Sequence, residues 1–469
     1  MKLLIILQKI IWGAPALLLI LGVGIYISVC TGFAQLRLFP AACRFFLKSL
    51  RGETSENYCI SPFRAMCTAL AATVGTGNLV GVAGAICLGG PGAVFWMWLC
   101  GFLGMATKYA EVALAVRYRV TDCGEFLGGP MYTISHGMGE RWTWLGKLYC
   151  VFAVIASFGI GNAAQINAVI TGINDVLQQF GILETSHRNI SLALILTVMI
   201  GTMLIGGAKR IADVSQYLVP FASVGYIVLC VGVIACRRDY ILDAFRSIII
   251  GAFSPGAVTG GIIGASFRAL SVGCSRGVFT NEAGMGTASI AHAAAEVDHP
   301  VQQGLMGIME VFLDTIVICT LTALVILVSG VPAPFGNDVG STLTISAFTS
   351  IYGGWASIAV ASIICSLAFA TVLGWGLYGA RCAQYLFGNR AWEIFALLQT
   401  IAVFFGAVLN TTSVWLFAET ANGLMVIPNL ITLTVLTPEV ARLTKEYRKS
   451  GGMTVSGGNY ADFHQRKPL

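Results

Sequence analysis

At 469 residues the chain is 56% hydrophobic and only 11% charged, with a mean hydropathy of +0.80. Soluble domains carry about 25% charged residues, so a soluble enzyme is excluded and a polytopic membrane protein is expected. The formal charge of +6 is no nucleic-acid signal, because the basic residues fall in loops and the tail rather than on one face. The 55 glycines suit close helix packing. The 14 cysteines are scattered, many within apolar stretches such as those around Cys87, Cys100, Cys230 and Cys365. They read as buried thiols rather than disulfides, and no His/Cys metal spacing is present.

A membrane-crossing helix needs about 20 apolar residues. In chain order that length predicts eleven spans. The first, 10–32, is too long for a signal peptide's apolar core and reads as a retained helix. An amphipathic connector follows, with Arg37, Arg44, Lys48 and Arg51 among Phe39, Phe45, Phe46 and Leu47, suited to the membrane surface. Then come 61–88, 93–118, 147–180, 189–207, 213–236, 255–295, 303–330, 355–386, 391–410 and 413–437. After Leu436 the chain turns charged, then glycine-rich and polar, which predicts a disordered end.

Two of these spans are interrupted by glycine and polar residues. The first reads LAATVGTGNLVGV over Leu70–Val82, and the second SVGCSRGVFTNEAGMGTASI over Ser271–Ile290. Unwound backbone at membrane depth is tolerated only where protein or a cavity surrounds it. Matched breaks in two halves point to a transporter's substrate site. Counted from the first break, the spans form two sets of five, each opening with a broken helix. An odd number per set makes the second inverted relative to the first. The fold class expected is therefore an all-α integral membrane protein, a 5+5 inverted repeat with one extra N-terminal helix. Its parts are 1–60 (helix and connector), 61–437 (core) and 438–469 (tail). Lys and Arg concentrate on one side, from Arg37 to Arg64, from Arg117 to Lys147, at Lys209, Arg210, Arg381 and Arg390, and in the tail. That side is read as cytoplasmic, with the N-terminus outside; Arg237, Arg238 and Arg246 run against the rule.

The polar residues of the spans carry the chemistry. If the first helix unwinds at Gly75–Asn78, freed N–H groups suit a carboxylate and freed C=O groups a small cation. The same residues would also serve a tight glycine-mediated crossing. In the second break, Glu282 could bind an amine, assist a cation or titrate, or could anchor unwound backbone, the role favoured here; Asn281 and exposed amides are better placed for substrate contact. Asn162 and Gln165 share a helix face and could bond substrate or neighbouring helices. Ser366 and Thr371 offer hydroxyls for a hard-oxygen cation cage, with Trp375 one turn beyond. Lys108 and Glu111 read as an ion pair or a snorkelling lysine near a span end. Glu310 and Asp314 read as helix-bonding groups or a proton relay. His292 and His299 read as loop or packing residues. No nucleophile–base set or metalloprotease helix is present, so no enzyme is expected.

These motifs resemble the alanine or glycine:cation symporter family from about Pro62 to Pro438. The resemblance rests on LAATVGTGN, GGPGAVFWMW at Gly89–Trp98, GMATKYAEVALAVRYR at Gly104–Arg119, GGPMY at Gly128–Tyr132, FGIGN at Phe158–Asn162 and NEAGMG at Asn281–Gly286. AHAAA at Ala291–Ala295, LGWGLYG at Leu373–Gly379 and NGLMVIPNL at Asn422–Leu430 complete it. The resemblance implies a leucine-transporter-like fold in the cell (inner) membrane, no cofactor, and import of small neutral amino acids, chiefly alanine and glycine, with Na+ or sometimes H+. A passive channel or sensor on the same fold is the alternative. By motif, substrate contacts would be Thr76, Gly77, Asn78, Phe158, Gln165, Asn281, Met285 and Trp375, with Na+ held by Ala72, Gly75 and Thr371. Ser275, Ala370 and Ala380 depart from the family's usual lysine, serine and acidic residue. The change at Ala370 bears on Na+ against H+.

Overall fold

The computed structural model describes residues 13–52, 60–122, 124–253, 262–336, 341–408 and 412–450. The opening of the first expected span, the opening of the second broken span and the polar end of the tail lie outside these residues. Among the described residues eight helices are long and apolar enough to cross a membrane: Ala93–Arg117, Glu140–Gln178, Ser186–Ile205, Gly207–Cys236, Pro300–Ser329, Trp355–Phe387, Ala391–Val408 and Thr420–Lys449. Pro62–Thr73 and Gly77–Gly89, which meet at a 52° bend, are together long and apolar enough to make a ninth. The two other expected spans appear as the shorter apolar helix Ala14–Cys30 and as Ile262–Asn281 followed by Thr287–His292.

Elements outside the expected spans also form. Phe39–Leu50 is the amphipathic connector, and Ile241–Phe253 and Ser341–Tyr352 are further helices. The architecture is all-helical, as expected, apart from a small antiparallel hairpin in one connection, Val120–Asp122 paired with Glu125–Leu127. It forms where the helix Ala93–Arg117 has ended and the chain turns at Gly124, whose φ of +80° suits glycine. The hairpin is tied to the far end of Trp355–Phe387, where Arg381 meets Glu125 at 2.5 Å.

Small residues bring the helices together. A Cβ on Gly374 would stand 2.8 Å from the Ala72 Cβ, so glycine there lets Trp355–Phe387 lie directly against the first break. Four π-helical segments interrupt the helices among the described residues: Gly77–Gly81, Thr133–Met138, Gly159–Ala163 and Phe312–Cys319. Such segments are rare and concentrate at functional sites. Gly77 and Ile160, from two of them, line one cavity.

Candidate functional site

The first break is local chemistry made visible. Pro62–Thr73 starts on a Ser61 cap, with the hydroxyl accepting from the Arg64 N–H at 3.3 Å and Pro62 in the first turn. Val74 closes the last turn with its N–H on Leu70 O at 2.8 Å, then turns extended, at φ −81° and ψ 97°. The chain resumes helix at Gly77. Between them the Gly75 N–H donates to Asn78 Oδ1 at 3.1 Å, and the Thr76 hydroxyl donates to Gln165 Oε1 at 3.3 Å. A Cβ on Gly75 would meet Thr371 Oγ1 at 2.7 Å. Only glycine admits that approach.

Beside this break lies a small, partly open cavity. The first break contributes Ala72, Thr73, Gly75, Thr76 and Gly77. The second contributes Phe279 and Glu282. Ile160 and Gln165, Thr371 and Trp375, and Asn422 complete the wall. Trp375 is buried, and a Cβ on Gly161 would stand 2.3 Å from its Cβ, so Gly161 makes room for the indole.

The structure brings together seven of the residues singled out from the sequence: Ala72, Gly75, Thr76, Gly77, Gln165, Thr371 and Trp375. Four others stand off the cavity. Asn78 is fully buried and donates to Asp314 Oδ1 at 2.6 Å. Phe158 packs its ring on Phe395, with centroids 5.3 Å apart. Asn281 donates to Thr315 Oγ1 at 3.2 Å and accepts from the Ala283 N–H at 2.9 Å. Met285 is buried in the apolar core. Sequence reasoning passed over Thr73, Ile160, Phe279 and Asn422 and assigned Glu282 to anchoring. A polar residue inside an apolar stretch was the available signal for Asn422; Ile160 and Phe279 carried none.

The second break is satisfied by charge. The backbone runs through positive φ at Glu282 (52°), Gly284 (97°) and Gly286 (79°). Glu111 Oε1 accepts from the N–H groups of Gly284 and Gly286 at 2.8 and 3.1 Å, and from Asn429 Nδ2 at 2.7 Å. Lys108 Nζ donates to Glu282 O at 3.3 Å and stands 3.5 Å from Glu310 and 4.0 Å from Glu111. Glu310 Oε2 is 2.8 Å from His292 Nε2, and His292 Nδ1 is 2.7 Å from Gln303 Nε2. The Glu282 carboxylate, besides lining the cavity, accepts from the Thr287 hydroxyl at 2.6 Å. Lys108 does not snorkel: it is wholly buried, because acceptors surround it inside the protein. His292 is buried too, as a bonded member of this network rather than a loop residue. Asp314 also accepts from the Thr315 hydroxyl at 2.8 Å, so a chain of hydrogen bonds runs from Gly75 through Asn78, Asp314 and Thr315 to Asn281.

Comparison with known proteins fits this arrangement. The sequence matches the description "Sodium:alanine symporter family" over residues 1–456. It is 42% identical over 446 residues to an uncharacterized transporter of Haemophilus influenzae, covering 94% of each chain. It is 40% identical over 450 residues to the sodium/alanine symporter AgcS of Methanococcus maripaludis, covering 94% of this chain and 96% of that one. The probable sodium/glutamine symporter GlnT of Bacillus subtilis is 36% identical over 444 residues, with 94% and 89% covered. Among solved structures, MhsT in complex with L-phenylalanine superposes with a TM-score of 0.57 at 12% identity, covering 84% of this chain and 98% of that one. That likeness is one of fold. With a match along nearly its whole length and relatives of the same extent, the chain belongs to the sodium:alanine symporter family of multi-pass membrane transporters.

Proposed function

We propose that the protein imports small neutral amino acids, alanine and glycine foremost, together with Na+ by alternating access. The observation that carries this reading is a cavity walled by residues of both helix breaks. The start of Gly77–Gly89 offers N–H groups to a carboxylate, while the end of Pro62–Thr73 leaves carbonyls for a cation. Thr371 donates its hydroxyl proton to Leu367 O at 3.0 Å, which leaves its lone pairs free to face a cation beside Gly75. Those hard oxygens suit Na+ held between Ala72, Gly75 and Thr371. Trp375 and Phe279 leave space for a small side chain and exclude large ones by clash. In this reading the core is the 5+5 inverted repeat, the N-terminus is outside and the C-terminus cytoplasmic.

The distribution of buried charge favours H+ coupling as a second reading. Glu111, Glu282, Glu310 and Asp314 are buried close to one lysine, Lys108, and one histidine, His292. Carboxylates outnumber cations, and a bound proton or metal cation would offset the excess. Uptake of labelled alanine into proteoliposomes tests both readings. Accumulation above the outside concentration under an inward Na+ gradient, and its loss when Na+ is replaced by choline, is the expected result. Dependence on a pH gradient alone supports the proton instead. Equilibration without accumulation, under either gradient, refutes symport and describes a channel.

A further inference from the structure

Among the described residues, one buried side-chain atom on the cavity wall has no hydrogen-bond partner. Asn422 is 2% exposed and lines the cavity, yet its side-chain Oδ1 accepts no hydrogen bond. Leaving a buried acceptor unpaired is destabilising, and most buried polar groups find a partner. Its position is fixed from a distance. Asn429 stands seven residues further along the same helix, close to two full turns, so the two asparagines share one face. Asn429 donates to Glu111 Oε1 at 2.7 Å and to Gly284 O at 2.9 Å. Those bonds hold the face that carries Asn422 against the second break, whose Glu282 lines the same cavity.

We propose that Asn422 Oδ1 receives the α-ammonium group of the transported amino acid. The proposal rests on the amino-acid reading above. The cavity is divided by sign: backbone N–H groups at the start of Gly77–Gly89 suit the carboxylate, whereas Glu282 and Asn422 offer acceptors from the other elements. An ammonium brings three donors and no acceptor, and so matches a carboxylate and an orphan carbonyl together. A substrate carboxylate turned toward Asn422 Oδ1 and Glu282 would set like-charged and lone-pair-bearing oxygens against each other and leave Oδ1 unpaired.

The test is competition by alanine and by N-methylalanine against labelled alanine, with the full chain in proteoliposomes at saturating Na+. N-methylation removes one N–H donor and crowds the nitrogen while leaving the carboxylate and methyl side chain alone. Wild type is expected to prefer alanine by about tenfold or more, as a site built to bond a donor should. Asn422→Leu, similar in size but without an acceptor, is expected to weaken alanine about tenfold and to cut the preference to about threefold or less. Asn422→Asp keeps an acceptor and is expected to keep the preference; with Asn422→Ala it decides the matter if the leucine variant does not fold. Equal weakening of both inhibitors, or no weakening, in the variants lacking the acceptor overturns the proposal. So does a shift in Na+ half-activation with the preference intact, which would make Asn422 a cation ligand. A wild type inhibited by no amino acid overturns the transport reading and this proposal together.

Discussion

The two helix breaks share a sequence signature and have opposite fates. Around Gly75 the freed helix ends line a cavity, and the ties across the break come from uncharged side chains, Asn78 and Gln165. Around Gly284 the freed ends are taken by Lys108 and Glu111, two buried charges from one neighbouring helix, with Asn429 as a third member. Unwinding a helix inside a membrane leaves N–H and C=O groups that need partners. A neighbouring helix can supply those partners permanently, or a cavity can reserve them for a ligand. The protein does one at each break. The second break therefore reads as a rigid frame and the first as the working surface set against it.

The most severe way to break that contrast is to remove the permanent partner. Glu111→Ala strands the amides of Gly284 and Gly286 and leaves Lys108 with one fewer carboxylate. Removing one member of a buried pair costs about 3–5 kcal/mol, so little monodisperse protein is expected in size-exclusion chromatography. Glu111→Gln, which keeps an acceptor, should recover much of it. If Glu111→Ala folds and transports as wild type does, the second break is not a frame.

Cutting the hydrogen-bond chain between the breaks should act next most strongly. Asp314→Ala removes the acceptor shared by Asn78 and Thr315. The two hydrogen bonds lost are worth about 0.5–1.5 kcal/mol each, so half-saturation for alanine should rise by about tenfold in the folded fraction. An unchanged half-saturation would show that the first break keeps its shape without this tie.

Thr371→Val probes the working surface alone. It keeps the shape and removes the hydroxyl that faces Gly75. The Na+ concentration for half-maximal uptake should rise about tenfold, in line with the loss of one ligand bond, while the ranking of amino acids stays put. A wild-type Na+ response would move the cation elsewhere.

The smallest effect lies away from both breaks. His299 Nδ1 accepts from the Val301 N–H at 3.1 Å and caps Pro300–Val311. Burial pushes its imidazole down to about 4, so the folded state keeps it neutral below the usual histidine range. Its contribution is complete above about pH 6.5, and is lost as pH falls from there toward about 4. His299→Ala should cost about 1 kcal/mol and flatten the fall in melting temperature across that window, while leaving uptake selectivity alone.

Composition was enough to read the membrane class, because so few charges and so long a series of apolar stretches have no soluble solution. The glycine breaks were legible too, since glycine and polar residues within an apolar span announce unwound backbone before any coordinates exist. That Gly75 and Gly77 would lie at the break and face a cavity needed little more than the position of the break. Side-chain direction was a different matter. Helical periodicity predicts which residues share a face only while the helix continues, and at Asn78 and Asn281 it has just been interrupted. Each of these asparagines turned to a neighbouring helix, toward Asp314 or Thr315, where the sequence offered no measure of distance. Lys108 lies 174 residues from the carbonyl it caps, and only packing could set them 3.3 Å apart. What tertiary structure alone decided, then, was which break would have its backbone ends bonded by buried charges and which would open its backbone on the cavity. That choice depends on the helices that lie alongside, and no local run of residues contains it.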